Sequence, residues 1–329
     1  MKILITGAAG FIGSALVNHL LDSDDTTKVI NIDNLDPFYD VRIKEGRVAD
    51  HHVKGLKRYQ HFKIDIADRQ SLFSALANEK IDLIIHLAAK AGVRPSILNP
   101  DEYVKTNVLG TQNILDLAKL KGVEKIVFAS SSSVYGNNTN IPWCEDDLDL
   151  IPISPYAATK LSGEKLCQTY SHLYGMNITA LRFFTVYGPG QRPDLAIHKF
   201  FRLISENKAI PFFGDGSTKR DYTYIDDTVS GIIGAIKYQG KGFEIFNLGN
   251  RNTVSLQELV NAIGSVMGKE VILEMLPKQP GDVELTYADI NRAQDTLNYS
   301  PSKSLESGLL AFKEWFEIHS LKPIPVIAQ

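Results

Sequence analysis

Tyr156 and Lys160 stand four residues apart in Pro155-Tyr156-Ala157-Ala158-Thr159-Lys160. On a helix that spacing sets a phenol and an ammonium on one face, a turn apart. A phenol has an ordinary pKa near ~10 and needs help to act as a base at neutral pH. A neighbouring ammonium, or a cationic cofactor ring, favours its phenolate. Such a pair takes a proton from a hydroxyl and can return it. The spacing alone is common on protein surfaces; its weight comes from what precedes it. Ser130-Ser131-Ser132-Ser133-Val134-Tyr135-Gly136 follows the apolar run Ile126–Ala129. A serine hydroxyl at that strand end can bond the reacting oxygen and share its proton with Tyr156, while others of the four satisfy their own turn.

A second constellation lies at the start of the chain. Strand-like Ile3–Ile5 runs into Gly7-Ala8-Ala9-Gly10-Phe11-Ile12-Gly13, which opens a helical pattern. The glycines permit a tight turn, close approach of backbone to a pyrophosphate, and close helix–strand packing. The helix N-terminus adds a positive dipole end. Asp33 follows Gly13 by 20 residues, after the apolar run Val29–Ile32. That is where an acid bonds the adenosine ribose hydroxyls of a dinucleotide. A P-loop does not fit, because no Gly-Lys-Ser/Thr follows. Asp33-Asn34 would repel a 2′-phosphate, so NAD is favoured over NADP.

The elements that must position these groups alternate. Ile3–Ile5, Val29–Ile32, Phe62–Ile64, Leu83–Leu87, Ile126–Ala129 and Ile178–Phe183 read as buried strands. Helical patterns near 71–78, 103–121 and 155–174 lie between them. Alternation of this kind predicts an α/β fold: a Rossmann-type, doubly wound parallel sheet. Past 183 the rhythm changes. Gly and Pro cluster in Gly188-Pro189-Gly190-Gln191-Arg192-Pro193 and Phe213-Gly214-Asp215-Gly216, and helical patterns recur at 256–267, 290–297 and 305–316. A smaller, mixed α/β C-terminal domain is expected to bind substrate. The expected division is 1–183 plus about 221–248 for the dinucleotide domain, with about 184–220 and 249–329 for the other. Tyr224–Leu248 would return a helix and a strand to the first sheet. The basic stretch His51–Arg58 reads as an exposed, solvated segment.

Composition limits the partners. With 35 Lys+Arg against 38 Asp+Glu the net charge is −3, which argues against a nucleic-acid-binding surface. Cys144 and Cys167 have neither CxxC spacing nor a nearby histidine pair, so neither a disulfide framework nor a metal site is expected. Met1-Lys2-Ile3-Leu4-Ile5-Thr6 enters a strand pattern at once, and no run approaches the ~20 apolar residues of a membrane span. The expectation is a cytoplasmic chain with no membrane partner.

Taken together, the motifs resemble those of the extended short-chain dehydrogenase/reductases, and within them the NAD-dependent nucleotide-sugar 4-epimerases. The likeness spans nearly the whole chain. It is carried by Thr6–Gly13, by His86-Leu87-Ala88-Ala89-Lys90-Ala91-Gly92-Val93, and by Asn107. It continues in Ser130–Gly136, Tyr156–Lys160 and Arg220-Asp221-Tyr222-Thr223-Tyr224-Ile225-Asp226-Asp227. Leu181-Arg182-Phe183-Phe184-Thr185-Val186-Tyr187-Gly188-Pro189 with Gln191–Ala196 is most similar to the UDP-glucuronate 4-epimerases.

The resemblance implies roles. Ser131 would be the catalytic hydroxyl, Tyr156 the acid/base and Lys160 its supporting cation. NAD would lie against Gly7, Gly10, Phe11, Ile12, Gly13, Asp33, Asn34, Asp65, Ile66, Leu87, Ala88, Ala89, Lys90, Asn107, Ser130, Tyr156 and Lys160. Ser132, Ser133, Thr185 and Arg192 would hold the sugar carboxylate, Arg220 the diphosphate, and Asp282 would sit near the nucleoside. The reaction implied is reversible oxidation at C4 of a UDP-sugar, with UDP-glucuronate becoming UDP-galacturonate through a 4-keto intermediate. That intermediate is a β-keto acid, so the site would also have to oppose loss of CO₂. A homodimer paired through the helices at 103–121 and 156–174 is implied as well.

There is one departure from the pattern: Gln279 stands where many 4-epimerases carry an arginine. The same residues also admit a UDP-glucose or UDP-N-acetylglucosamine 4-epimerase, a UDP-glucuronate decarboxylase or, in another class, a non-catalytic NAD-sensing protein. A 4,6-dehydratase is disfavoured, because Ser132-Ser133 replaces the acid pair it needs.

Overall fold

The computed structural model describes residues 1–23, 26–278 and 283–320. Its first half lays strand, helix and strand down in order: β1 Lys2–Thr6, α1 Phe11–Ser23, β2 Lys28–Ile32, α2 Val41–Gly55, β3 Tyr59–Phe62, α3 Arg69–Ala75 and β4 Leu83–His86. Short α4 Val93–Leu98 and α5 Pro100–Tyr103 lead through a π-helical turn, Val104–Leu109, into α6 Gly110–Lys121. β5 Lys125–Ser131, α7 Pro155–Tyr174 and β6 Asn177–Phe183 follow. The remaining elements are β7 Thr185–Tyr187, α8 Ala196–Ser205, β8 Ile210–Phe213, β9 Lys219–Tyr224, α9 Ile225–Lys237, β10 Phe243–Leu248, β11 Thr253–Ser255, α10 Leu256–Met267, β12 Leu273–Leu276, α11 Asn291–Leu297 and α12 Leu305–Ser320.

Seven parallel strands form one sheet in the order β10-β6-β5-β4-β1-β2-β3. The chain reverses direction across the sheet between β1 and β4, so a crevice opens beyond their carboxyl ends. Alternate side chains feed two cores, as the pleat dictates. Leu4, Ile84, Ile126 and Ile178 pack under α3, α6 and α7 with Leu72, Ile114 and Leu117. Ile3, Ile5, Ile85 and Val127 face α1, α9 and the C-terminal elements. α9 and β10 return to this sheet, β10 pairing with β6, as the pattern in Tyr224–Leu248 predicts. The smaller region carries a three-stranded sheet, β11-β9-β7, and a two-stranded one, β12-β8.

Two expectations are corrected. The third strand is Tyr59–Phe62 rather than Phe62–Ile64. The stretch His51–Arg58 is exposed at His52, Val53, Leu56 and Lys57 as expected, but it includes the end of α2, where His51 is fully buried. The buried positions of α2 are Lys44, His51 and Gly55, so the helix lacks the apolar stripe by which helices are recognised in sequence. Polar contacts hold it instead. His51 bonds Ser14 at 3.1 Å and Tyr59 at 3.4 Å, and Tyr59 accepts from Asn31 at 2.9 Å.

Candidate active site

A cleft of about 690 Å³ lies beyond the strand ends, between the large sheet and the C-terminal elements. One wall is mostly backbone. Gly7 takes φ +76°, and a Cβ there would meet the Ala88 backbone at 2.7 Å; a Cβ on Gly13 would lie 2.4 Å from the Gly7 carbonyl oxygen. Only glycines allow β1, α1 and the Ala88 strand end to approach so closely. Asp33 braces this turn, its Oδ2 accepting from Ala9 N–H at 3.0 Å and its Oδ1 from Leu35 N–H at 2.9 Å. The carboxylate still lines the cleft, as do Gly10, Phe11, Ile12, Asn34, Asp65, Ile66, Leu87, Ala88, Ala89 and Lys90. A concave glycine turn with an acid at the next strand end is a cradle that fits a dinucleotide.

The facing residues come from β5 and α7. Ser154 caps α7 by accepting from Ala157 N–H at 3.2 Å, and Pro155 takes the first helical position. Tyr156 therefore sits in the first turn, at the cleft. A Cβ on Gly163 would meet the Phe128 ring at 2.5 Å, so α7 lies close on β5. That closeness lets buried Lys160 donate from Nζ to the Ala129 carbonyl at 2.8 Å. Burial lowers its ammonium pKa to about 8, against the pull of Cys167 and Glu164. Burial raises the Tyr156 phenol, while a hydrogen bond with Ser131 and the charge of Arg192 pull it down. The ammonium expected to favour the phenolate is thus directed at β5. Desolvation prevails, and the phenol lies above its ordinary pKa. Tyr103 supports the ring from its edge, with centroids 6.2 Å apart, and donates to the Ala91 carbonyl at 3.1 Å.

Ser131 and Ser130 line the cleft, but their hydroxyls differ. Ser131 Oγ accepts from Ser133 N–H at 3.2 Å and donates to Ser133 Oγ at 3.2 Å. Ser130 donates to Glu164 Oε1 at 2.5 Å, and Glu164 grips Arg182 through two bonds of 2.9 Å. This buried ion pair under the serine turn carries the one buried side-chain atom among the described residues without a hydrogen-bond partner, Arg182 Nη1.

Three expected residues are not among those lining the cleft. Ser132 is buried and Ser133 is committed to Ser131, both in the short 3-10 turn that ends the strand. Asn107 lies in the π turn and works behind the wall. Its Oδ1 accepts from Lys90 N–H at 2.8 Å, while its Nδ2 donates to the Lys90 carbonyl and to Thr159 Oγ1, each at 3.0 Å. It clamps the Ala88–Lys90 loop to the helix that carries Tyr156. His86, beside that loop, is buried between Thr6 and Thr111, and desolvation lowers its pKa to about 3. It packs as a neutral ring rather than serving as a base.

The remaining wall comes from the C-terminal region. Thr185, Arg192 and Arg220 line it, and Arg220 also donates to the Lys219 carbonyl at 2.8 Å. Asp282, and Gln279 with it, lie outside the described residues. Arg192 meets a partner that its own position in the sequence did not advertise. Nε donates to Asp194 Oδ1 at 3.1 Å and Nη2 to Asp194 Oδ2 at 2.7 Å, with Phe38 beneath the guanidinium. Phe38, Tyr39 and Lys44 also line the cleft and went unread. Their signal was placement: they follow Asp33 directly, beyond the carboxyl end of β2. Arg47, on α2, donates to the Ala9 carbonyl at 3.1 Å and to the Gly190 carbonyl at 2.5 Å, joining the glycine turn to the Arg192 loop.

Fold and cleft together define a dinucleotide-binding α/β protein with a tyrosine, a serine and a lysine at the strand ends facing the cofactor cradle. The model of the NAD dependent epimerase/dehydratase family matches residues 3–249, and the chain belongs to that family. It is 42% identical to a UDP-glucuronate 4-epimerase of Thermodesulfobacterium geofontis, over 98% of this chain and 99% of that one. Its structure is similar to that of the UDP-glucuronic acid 4-epimerase of Bacillus cereus in complex with UDP-glucuronic acid and NAD. The TM-score there is 0.88 at 37% identity, covering 97% of this chain and 100% of the other. A UDP-glucose 4-epimerase of Thermotoga maritima with UDP-glucose gives a TM-score of 0.88 at 30% identity, over 97% and 100% of the two chains.

Proposed function

We propose that this chain is an NAD-dependent UDP-sugar 4-epimerase whose substrate is UDP-glucuronate and whose product is UDP-galacturonate. The observation that carries the reading is the meeting, across one cleft, of Tyr156 and Ser131 with Arg192, a cation close enough to act on the phenol. The glycine turn, Asp33 and the segment Leu87–Lys90 would hold NAD, which would supply reversible hydride acceptance at C4.

Tyr156 would act as the phenolate, its own proton having passed to solvent under the pull of Arg192 and of a bound cationic nicotinamide ring, and would take the proton of the C4 hydroxyl. Ser131 bonds the same oxygen, and Tyr156 returns the proton when the sugar is reduced. Lys160 holds the local charge balance from beneath. Arg192 receives the carboxylate. Keeping negative charge on that group and fixing its rotation opposes loss of CO₂ from the β-keto acid. Thr185 lies on the same wall, and Arg220 holds the diphosphate about which the keto sugar turns. Asp282 belongs to the nucleoside end by family resemblance.

We also read the chain as cytoplasmic and as a homodimer. No helix among the described residues is long and apolar enough to cross a membrane. Ile97, Leu98, Val104, Leu109 and Leu173 are exposed on the flank formed by α4, the π turn and α7, which supports pairing there.

The test is to incubate pure protein, without added NAD, with UDP-glucuronate, UDP-glucose and UDP-N-acetylglucosamine and to resolve products by NMR. Conversion of the uronate to UDP-galacturonate is expected, and Tyr156→Phe should lose roughly 10²- to 10⁴-fold in turnover. Conversion of a neutral sugar with the uronate untouched would overturn the substrate assignment.

A further inference from the structure

The carboxylate reading of Arg192 leaves its existing partner unexplained. Asp194 is two residues on in the same turn, which Leu195 N–H closes onto the Arg192 carbonyl at 3.2 Å. The two contacts, Nε to Oδ1 and Nη2 to Oδ2, are a side-on bidentate pair. Both residues line the cleft, with side-chain exposures of 16% for Arg192 and 36% for Asp194. A guanidinium has five N–H donors and two edges that match a carboxylate. Asp194 takes the edge containing Nε. The end-on edge, Nη1 with the second N–H of Nη2, has its donors left for another anion. Phe38 lies under the guanidinium, its ring centroid 5.2 Å from the central carbon, and adds a cation–π contact that restrains the side chain.

We propose that Asp194 is a positioning residue that sets how strongly the site prefers an acidic sugar, by aiming Arg192 and cancelling its charge; this rests on the function proposed above. With Asp194 in place, the pair is neutral before substrate arrives. A uronate then shares the guanidinium with a second carboxylate, and the repulsion across it weakens binding of substrate and product alike. An epimerase gains from that restraint, because two uronates differing only at C4 must each enter and leave, and the hexose must let go to turn over. Arg192 therefore discriminates by geometry more than by net charge. A neutral hexose meets no uncompensated cation, which lessens the penalty for accepting one.

The test uses Asp194→Asn, which keeps an oxygen acceptor for the arginine and removes the competing charge. In a Tyr156→Phe background, so that binding is read without turnover, calorimetry is carried out with UDP-glucuronate and with UDP-glucose. The ratio of the UDP-glucose Kd to the UDP-glucuronate Kd should rise three- to tenfold, through tighter uronate binding. The gain should shrink at 0.5 M salt, as a charge effect does and a purely structural one does not. In the otherwise native enzyme, KM and kcat for the uronate should fall together as product release slows. An unchanged or lowered ratio overturns the proposal, and so does a gain that survives high salt. Arg192→Ala separates the two readings. If it weakens both sugars equally, the carboxylate assignment itself fails; if it weakens the uronate selectively while Asp194→Asn does not tighten it, only the role of Asp194 falls.

Discussion

The two walls of this cleft, the one proposed to hold the cofactor and the one proposed to hold the sugar, are built on different principles. The first is backbone. Gly7, Gly10 and Gly13 bring β1, α1 and the Ala88 strand end within contact of one another, and Asp33 is fixed by two N–H donors in its immediate neighbourhood. The second is side chains: Arg192 on its loop, held by Asp194, Arg220 near the start of β9 and Thr185 at the start of β7. Close-packed backbone suits a group that is retained through every cycle, whereas separate side-chain contacts suit a sugar that must enter, turn and leave. Arg47 reaches from one wall to the other, through the carbonyls of Ala9 and Gly190, and so sets their spacing.

The contrast is most severely tested at Gly13. A Cβ there meets the Gly7 carbonyl oxygen at 2.4 Å, which is backbone and cannot swing aside. Gly13→Val should displace the turn, lose bound dinucleotide, and cost roughly a hundredfold or more in turnover on every sugar alike. Cofactor content by absorbance after denaturation, beside turnover, measures it. A variant that retained stoichiometric NAD would show the backbone wall to be more pliant than its contacts allow.

A smaller and selective effect is expected on the other wall. Arg192→Ala should reduce kcat/KM for UDP-glucuronate by about 10- to 100-fold, the range for a lost charge-assisted contact of ~1.5–3 kcal/mol. UDP-glucose should suffer far less, and NAD content should hold. Equal losses on the two sugars would erase the distinction between the walls.

The last effect concerns stability rather than turnover and belongs to the backbone wall. Burial lowers the pKa of His51, behind the glycine turn, to about 4 from an ordinary 6.5. Unfolding therefore takes up a proton between those values. The native state keeps its full advantage above pH 6.5 and loses it progressively as pH falls through 4, by up to about 3 kcal/mol. His86, at about 3, adds loss in the same direction further into acid. Urea unfolding of His51→Gln between pH 4 and 7 should show a shallower decline than the parent. Identical slopes would place the acid sensitivity elsewhere.

Much of this molecule was legible in one dimension because its signals are local. The continuous apolar runs of β1, β2, β4, β5 and β6, the glycine trio with its acid, and the Ser154-Pro155-Tyr156 helix start each depend on residues close in sequence. Backbone geometry alone converts them into strand, turn and cap. Tertiary structure decided what has no local signature. α2 escaped because polar side chains bury it. Asn107 moved behind the wall because a π turn aims it at Lys90. Lys160 went to a β5 carbonyl because Gly163 lets its helix settle on Phe128. Arg47 carried no readable role, because the Ala9 and Gly190 carbonyls that it joins lie far from it in the sequence. The reason is reach: a long side chain commits its charge several ångströms from its own backbone, and which partner waits there depends on how distant segments pack.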